Sequence, residues 1–454
     1  MNIDPSIFKD YDVRGIYPKE LNYDTFYQIA RELALFYQPK IISIGRDIRE
    51  SSKDLQKAMI NGFIDQGVDV VDLRLITTDM IYFASGKYNY DLSVGITGSH
   101  VEKGNGFKIC KKGALTISGE EGLYSVRDSL LKRKSFPEGS KKGKVSSKDI
   151  LNEWIAHALS FINPSKIKPL KIVVDTGNGM GGLVMQPIEE KLPGEFINLF
   201  PELDGTFPNH FPNPLIFENQ RFAIDKIKKI KADLGIVFDA DGDRAFFIDE
   251  NGKSLSGTIL TATVAQNILK KNPGETILYN AVCGRIVPEV IKKNGGKAIR
   301  VRVGHSIIRG KMREENAIFA GEHSGHFYFR DNYYADSGLI MVLEVLELVS
   351  QDSRPLSEIV KEFDKYPQSG EINFKVEDKK EMMKLLEDKY KKRADSTDWL
   401  DGVSVWFSDW WFNVRPSNTE PLLRLNVEAD NQELLEEKIS EVIKVLTTAG
   451  AVKK

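Results

Sequence analysis

The chain reads as an α/β protein, and three observations predict it. Short β-branched runs, "IISIGRD", "KIVVDTGNGMGG", "LGIVFDADGDR" and "TILYNAVCG", alternate with amphipathic helical stretches, the pattern of α/β layers with parallel strand pairing. Each run closes in a polar, glycine-bearing loop, and in such sheets ligands collect at the carboxyl ends of the strands. After "KYPQSGE" the character changes: "LLRLNVEA" alternates as a half-buried strand, and Asp430 with Glu433 reads as a capping box opening the helix "LLEEKISEVIKVL". A smaller α+β domain is expected there, and no strict repeat is visible.

At 454 residues the chain is long enough for several domains with substantial cores. Its 63 Lys and Arg nearly balance 65 Asp and Glu, so no broad field favours nucleic acid or a membrane surface, and a small-molecule partner is expected. Two cysteines far apart, Cys110 and Cys283, suit buried thiols in a reduced cytoplasmic enzyme rather than a disulfide framework. The start "MNIDPSIFKDYDVRG" lacks the apolar core of an export signal, and the most apolar later stretch, "GLIMVLEVLELV", is interrupted by Glu344 and Glu347; neither an export signal nor a membrane span is expected. The basic, polar stretch from 131 to 149 reads as a solvated connector.

Residues 239 to 244, "DADGDR", place Asp239, Asp241 and Asp243 two apart, directly after the apolar run "LGIVF". Like charges this close shift each other's pKa values and call for a positive partner. With Glu250 twelfth in line the run imitates a calcium-binding EF-hand loop, but that loop needs glycine sixth, where Arg244 stands, and the flanks "GIVF" and "AFFI" read as strands. Three carboxylates fanned from a tight loop at a strand end can hold Mg²⁺ and leave positions open for a phosphoryl oxygen. A solvated acidic turn is the alternative.

Three further loops carry chemistry. In "GITGSHVEKGNGFKI", Ser99 follows a strand and is trailed by His100, glycines and Lys108; a serine so placed can accept a phosphoryl group, with amides and cations spreading its charge. "RPSNTEP", residues 415 to 421, packs an arginine, hydroxyls and an amide suited to a phosphate dianion. "GEHSGH", residues 321 to 326, offers a carboxylate, a hydroxyl and imidazoles suited to sugar hydroxyls. Each alone is also readable as a polar turn.

The order "YDVRG", "GRDIRESS", "TGSH", "VVDTGNG", "DADGDR", "GHS", "GEHSGH", "RPSNTEP" resembles the α-D-phosphohexomutases, and within them the phosphomannomutase/phosphoglucomutase group, over essentially the whole chain. The resemblance implies four domains around a central cleft: three related α/β domains, 1–148, 149–251 and 252–366, and a C-terminal α+β domain, 367–454. It implies a mutase that interconverts hexose 1-phosphate and hexose 6-phosphate. Ser99 would carry the phosphoryl group and share Mg²⁺ with Asp239, Asp241 and Asp243, while a hexose 1,6-bisphosphate serves as both intermediate and activator. By the same resemblance His100, Lys108, Arg14 and Arg244 assist the transfer, Tyr11 and His305 line the path, Glu322 and Ser324 hold sugar hydroxyls, and Arg415, Ser417, Asn418 and Thr419 hold the unreacting phosphate. Tyr11 and His305 are alternatively packed core residues.

The chain departs from the family pattern twice. After Ser99-His100 it runs "VEKGNG", a residue shorter and without the usual proline, so a more mobile loop is expected and the reach of Lys108 is left open. In "NAVCGR" a usual lysine is replaced by Val282, with Arg285 or Lys311 as its substitute. The partners implied are hexose phosphates, with no nucleic acid and no membrane, and the chain is expected as a monomer or homodimer. Dual glucose and mannose specificity is expected from "GEHSGH" and "RPSNTEP", because phosphoglucosamine mutases usually carry other residues at His323 and Asn418. A phosphoglucosamine mutase, a non-catalytic sugar-phosphate-binding relative and a phosphatase with an aspartate nucleophile are the alternatives.

Overall fold

A computed structural model describes residues 3–99, 101, 103–139, 141–417 and 422–454. Two units emerge, Met1–Ser256 with Ser324–Ile359, and Gly257–His323 with Val360–Lys454.

In the first unit a seven-stranded sheet runs Val13–Ile16, Gly104–Lys111, Leu92–Ile96, Ile41–Arg46, Asp69–Leu75, Val145–Ser147, with Leu115–Thr116 beside Gly104–Lys111. Ile41–Arg46 pairs in parallel with both neighbours, because the helices Glu50–Asp65 and Thr78–Tyr88 supply the crossovers that parallel strands need. Gly104–Lys111 is antiparallel to Val13–Ile16, Leu92–Ile96 and Leu115–Thr116. The short link from Ile96 to Gly104 can only reverse the chain, so the sheet is mixed, with the expected parallel pairing kept at Ile41–Arg46. Helix Tyr23–Tyr37 begins at Asn22, whose side chain accepts from Thr25 N, and buries the stripe Phe26, Ile29, Ala30 and Leu33. It lies so close to Glu50–Asp65 that a Cβ on Gly62 would sit 2.5 Å from the Tyr27 carbonyl oxygen.

A four-stranded sheet follows, Ala245–Asp249, Leu234–Phe238, Leu170–Asp175, Gly194–Leu199. Its first pair is an antiparallel hairpin and the rest is parallel. Every residue of Leu234–Phe238 and Ala245–Asp249 is buried, so "GIVF" and "AFFI" are strands covered on both faces, as their unbroken apolar character requires. The run with Glu344 and Glu347 forms the helix Gly338–Gln351, buried over most of its length, and Glu347 accepts from Asn163 N at 2.9 Å. Among the described residues no helix is long and apolar enough to cross a membrane. The 131–149 stretch is largely exposed, but it also adds Val145–Ser147 as an exposed edge strand.

The second unit holds the parallel strands Lys297–Val301, Thr276–Asn280 and Phe319–Gly321 with the helices Gly257–Lys271, Ile286–Lys293 and His305–Glu314. Its C-terminal part is a six-stranded sheet, Ser396–Asp398, Val403–Trp406, Trp410–Pro416, Leu423–Ala429, Ile372–Lys375, Val452–Lys453, with the helices Lys379–Tyr390 and Gln432–Thr448. This is the expected α+β portion, with two corrections. Leu423–Ala429 is buried on both faces apart from half-buried Arg424. The last helix is capped by Asn431, whose side chain accepts from Leu434 N at 3.0 Å, and not by Asp430, which binds Arg285 at 2.9 Å. Cys110 and Cys283 are both buried free thiols.

Candidate active site

The "DADGDR" loop closes the hairpin at the pair Phe238 and Ala245. Gly242 has φ +75°, and its N–H donates to both the carbonyl and the Oδ1 of Asp239. Asp239 also accepts from Arg244 N at 3.2 Å and from Arg244 Nε at 2.8 Å. Asp239 therefore fixes the turn's geometry while its carboxylate stays clustered with those of Asp241 and Asp243. Asp241 Oδ2 accepts from Thr78 Oγ1 at 2.6 Å and from Lys108 Nζ at 3.2 Å, and Lys108 also binds Asp243 Oδ2. Lys108 thus reaches both carboxylates in spite of the shortened loop before it.

All three aspartates are at most 1% exposed. Asp241 Oδ1 and Asp243 Oδ1 have no hydrogen-bond partner among the described residues, and each carboxylate offers an oxygen within 4.8 Å of the others. Three carboxylates face two cations, Lys108 and Arg244. Burial, opposed by Arg244 and reinforced by Asp243 and Asp241, pushes the Asp239 carboxyl well above its ordinary range. Burial would also raise Asp241, but Lys108 and the Thr78 hydroxyl outweigh it and hold that carboxyl low. Against the same burial, Asp241 and Asp243 keep Lys108 protonated well above the usual lysine range. Orphaned hard oxygens, and a third carboxylate that ionises only with further positive charge beside it, fit a divalent, oxygen-liganded cation.

Two helix starts brace this loop. Thr78, first in its helix, donates its N–H to the Asp241 carbonyl at 3.0 Å. Gly338 lies where a Cβ would come 2.9 Å from both the Gly242 carbonyl oxygen and the Arg244 backbone. Between the two starts, fully buried Asp79 accepts from Thr77 Oγ1 and from Ser337 Oγ, the latter at 2.6 Å. Burial, with the Asp243 and Asp336 charges, pushes Asp79 up to about 7. The "VVDTGNG" turn braces the loop from below, with Met180 N donating to the Ala240 carbonyl at 2.9 Å. His326 Nδ1 lies 2.8 Å from Asp336 Oδ2, and these two cluster with Asp243. Asp79, Asp336 and His326 were missed in the sequence; only the second imidazole of "GEHSGH" signalled the last.

Ser99 follows the strand Leu92–Ile96 in the left-handed region, φ +46°, and is 4% exposed. Its N–H donates to Thr97 Oγ1 at 2.9 Å, and its carbonyl accepts from Arg49 Nη2 at 2.7 Å. Arg14 and Asp241 both act electrostatically on Arg49, which brings the serine turn, Arg14 and the aspartate loop into one neighbourhood. Arg14 pairs with Asp12 at 2.7 Å, while Tyr11 and Ser324 are half-buried. His100 lies outside the described residues.

In the second unit, Glu322 is 2% exposed and accepts from Asn280 Nδ2 at 3.1 Å. Arg415, also 2% exposed, binds Glu371 at 3.0 Å; Arg424 reaches that carboxylate at 3.3 Å and His323 at 3.9 Å. Arg415 Nε has no hydrogen-bond partner among the described residues. Two guanidiniums and an imidazole around one carboxylate leave a surplus of donors for an anion. Ser417 N donates to the Leu422 carbonyl at 2.8 Å, and half-buried His305 opens its helix after Gly304, φ +135°. Asn418 and Thr419 lie outside the described residues. Neither expected lysine substitute is open: Arg285 holds Glu428 and Asp430, and Lys311 holds Glu314 and Glu315.

Successive parts of the chain match "Phosphoglucomutase/phosphomannomutase, alpha/beta/alpha" domain I over 5–131, domain II over 152–252 and domain III over 256–366, and the C-terminal domain of the same set over 371–445. The chain is 39% identical to a phosphohexose mutase of Xanthomonas campestris pv. campestris across 97% of its own length and 98% of the relative's. It is 39% identical to a phosphomannomutase of Methanocaldococcus jannaschii across 99% of both chains. A crystal structure of a phosphoglucomutase/phosphomannomutase family protein from Burkholderia thailandensis superposes with TM-score 0.89 at 30% identity, covering 100% of both chains. Fold, length and motif order together define an enzyme of the mutase class built from four domains. The chain belongs to the phosphoglucomutase/phosphomannomutase family.

The position of Asp79 sets a pH dependence. Burial pushes its carboxyl up to about 7 in the folded protein from an ordinary value of 3.8, so the folded protein retains a proton that the unfolded chain releases, and stability falls as pH rises between those values. Urea unfolding in EDTA at pH 5 and pH 7.5 is expected to show a smaller loss across that interval for Asp79→Asn than for the parent protein. Equal losses would contradict the assignment.

Proposed function

We propose that the protein interconverts hexose 1-phosphates and hexose 6-phosphates through a phosphoserine at Ser99. The observation that carries this reading is the buried loop of three carboxylates that face one lysine and one arginine, beside a strained serine turn. A chain similar along its whole length to phosphohexose mutases supports it. Asp239, Asp241 and Asp243, with Ser99 completing the set, would hold Mg²⁺, which would supply Lewis-acid withdrawal of charge from a transferring phosphoryl group. The protein's own residues do the rest. Ser99 Oγ takes a phosphoryl group from a hexose 1,6-bisphosphate as the P–O bond to the sugar breaks, and the serine proton passes to the released sugar oxygen. Phosphorylated Ser99 gives its phosphoryl group to the free hydroxyl of a hexose monophosphate, and the bisphosphate so formed turns end for end and returns its other phosphate to Ser99, so catalytic bisphosphate acts as the activator.

Lys108 is the cation best supported for charge balance at this transfer, because its ammonium already bridges two of the carboxylates. Arg244 fixes Asp239, and Arg14 and His100 are assigned to the phosphoryl group and its proton. His305 and Tyr11 are assigned to lining the substrate path, and Glu322 and Ser324 to the sugar hydroxyls. Arg415, Ser417, Asn418 and Thr419 are assigned to the unreacting phosphate, which the donor surplus around Glu371 supports. We divide the chain at 149, 252 and 367, as the matched family ranges support, and assign the activity to the cytoplasm, as a monomer or homodimer.

Given a trace of glucose 1,6-bisphosphate and Mg²⁺, the enzyme is expected to convert glucose 1-phosphate to glucose 6-phosphate. Intact-mass analysis should find one phosphoryl group on Ser99, absent in Ser99→Ala together with the turnover. Full activity of Ser99→Ala would refute the serine mechanism, and no turnover of any hexose 1-phosphate would favour a binding protein.

Specificity follows from which hydroxyls are read. Glucose and mannose differ only at C2, so a carboxylate and a hydroxyl that hold O3 and O4 discriminate weakly. The kcat/KM values for glucose and mannose 1-phosphates are expected within about a hundredfold of each other, with glucosamine 1-phosphate poorer than both. A clear preference for glucosamine 1-phosphate under the same conditions would overturn this assignment and leave the mutase chemistry standing.

A further inference from the structure

We propose that Arg49, in the motif "GRDIRESS", is the positioning residue that aims Ser99 for phosphoryl transfer; this rests on Ser99 being the carrier. Arg49 precedes the helix Glu50–Asp65, and its side chain is 6% exposed. One end of its guanidinium, Nη2, donates to the Ser99 carbonyl at 2.7 Å, while Nε lies 3.5 Å from Asp47 Oδ2. That same Asp47 oxygen accepts from Gly98 N at 3.1 Å, and its other oxygen accepts from Arg49 N at 3.1 Å and Ser52 Oγ at 2.5 Å. Asp47 and Arg49 therefore grip the serine turn on both sides, at the amide before Ser99 and the carbonyl after Cα. No side chain fits at Gly98, where a Cβ would stand 2.5 Å from Arg49 Nε.

The grip has a purpose in the backbone. Ser99 sits at φ +46°, a conformation that a residue with a Cβ keeps only where its surroundings enforce it. Release of the carbonyl lets the turn relax and swings Oγ away from its line of attack. The far face of Arg49 is held in turn by two rings, with its guanidinium carbon 5.1 Å from the Phe207 centroid and 5.7 Å from that of Phe211. A planar guanidinium can stack and donate along its edge at once, which a lysine ammonium cannot. The same loop crowds Arg49 from behind, since a Cβ on Gly205 would lie 2.7 Å from its Cα. The buried group has its proton affinity lowered first by burial, against Asp47, so it is held by geometry as much as by charge.

The test is single-turnover transfer from glucose 1,6-bisphosphate to dephosphorylated full-length protein with Mg²⁺, quenched and read by intact mass, for the parent, Arg49→Lys and Phe211→Leu. Arg49→Lys is expected to phosphorylate Ser99 about 10- to 100-fold more slowly, as a small misalignment of a nucleophile costs. The bisphosphate concentration giving half the maximal rate should stay within about threefold. Phe211→Leu, which loosens the clamp and leaves the donor, is expected to slow transfer in the same sense by a smaller factor. If the parent protein takes no label on Ser99, the carrier reading itself fails. If the parent is labelled and folded Arg49→Lys transfers within twofold of its rate, or changes only the half-saturating concentration, the positioning role is overturned. Should Arg49→Lys not fold, an unchanged rate in Phe211→Leu overturns it instead.

Discussion

The site in the first unit depends on one imbalance: three aspartates in a dry turn, countered by one lysine and one arginine. Placing carboxylates in such surroundings is costly unless each is paired. Asp239 is satisfied by Arg244 and two backbone amides. Asp241 and Asp243 share Lys108 and each keep an oxygen without a hydrogen-bond partner among the described residues. The turn is therefore built incomplete, and a divalent cation is the simplest species that completes it.

The rest of the first unit holds that turn still. The turn ends a buried hairpin, so its backbone cannot slide. Thr78 at one helix start donates to it, Gly338 at another lets backbone approach backbone, and Asp79 ties the two starts together through hydroxyls. The aspartates point where chain reversals and helix ends put them, which is the preorganisation that electrostatic catalysis requires.

The chemistry-bearing loops were legible because each is local: "DADGDR" and "TGSH" carry their ligands and their turn residues within a few positions. The supports were not legible, because they are long-range pairings. Thr78 meets Asp241 from 163 positions away, Lys108 meets Asp243 from 135, and Ser337 meets Asp79 from 258. No periodicity encodes such contacts. Arg49 was visible only as part of a motif, and Glu371 gave no signal before Arg415 and Arg424 converged on it. Element type was read well where apolar runs were continuous. The parallel pairing read from the β-branched runs holds for each of them, while the direction of Gly104–Lys111, which is not one of those runs, is set by loop length rather than composition. The capping residue was misread by one position because Asp430 and Asn431 both suit a cap, and Arg285 claims the first.

The central claim is that the aspartate turn is a cation site rather than a self-sufficient acidic loop. The most direct measurement is Mn²⁺ binding to the protein without substrate, followed by electron paramagnetic resonance of the free ion. One Mn²⁺ per chain, displaced by Mg²⁺ and weakened strongly in a folded Asp241→Asn variant, is the predicted result. Absence of stoichiometric binding in the parent protein, or binding that Asp241→Asn leaves unchanged, would contradict it.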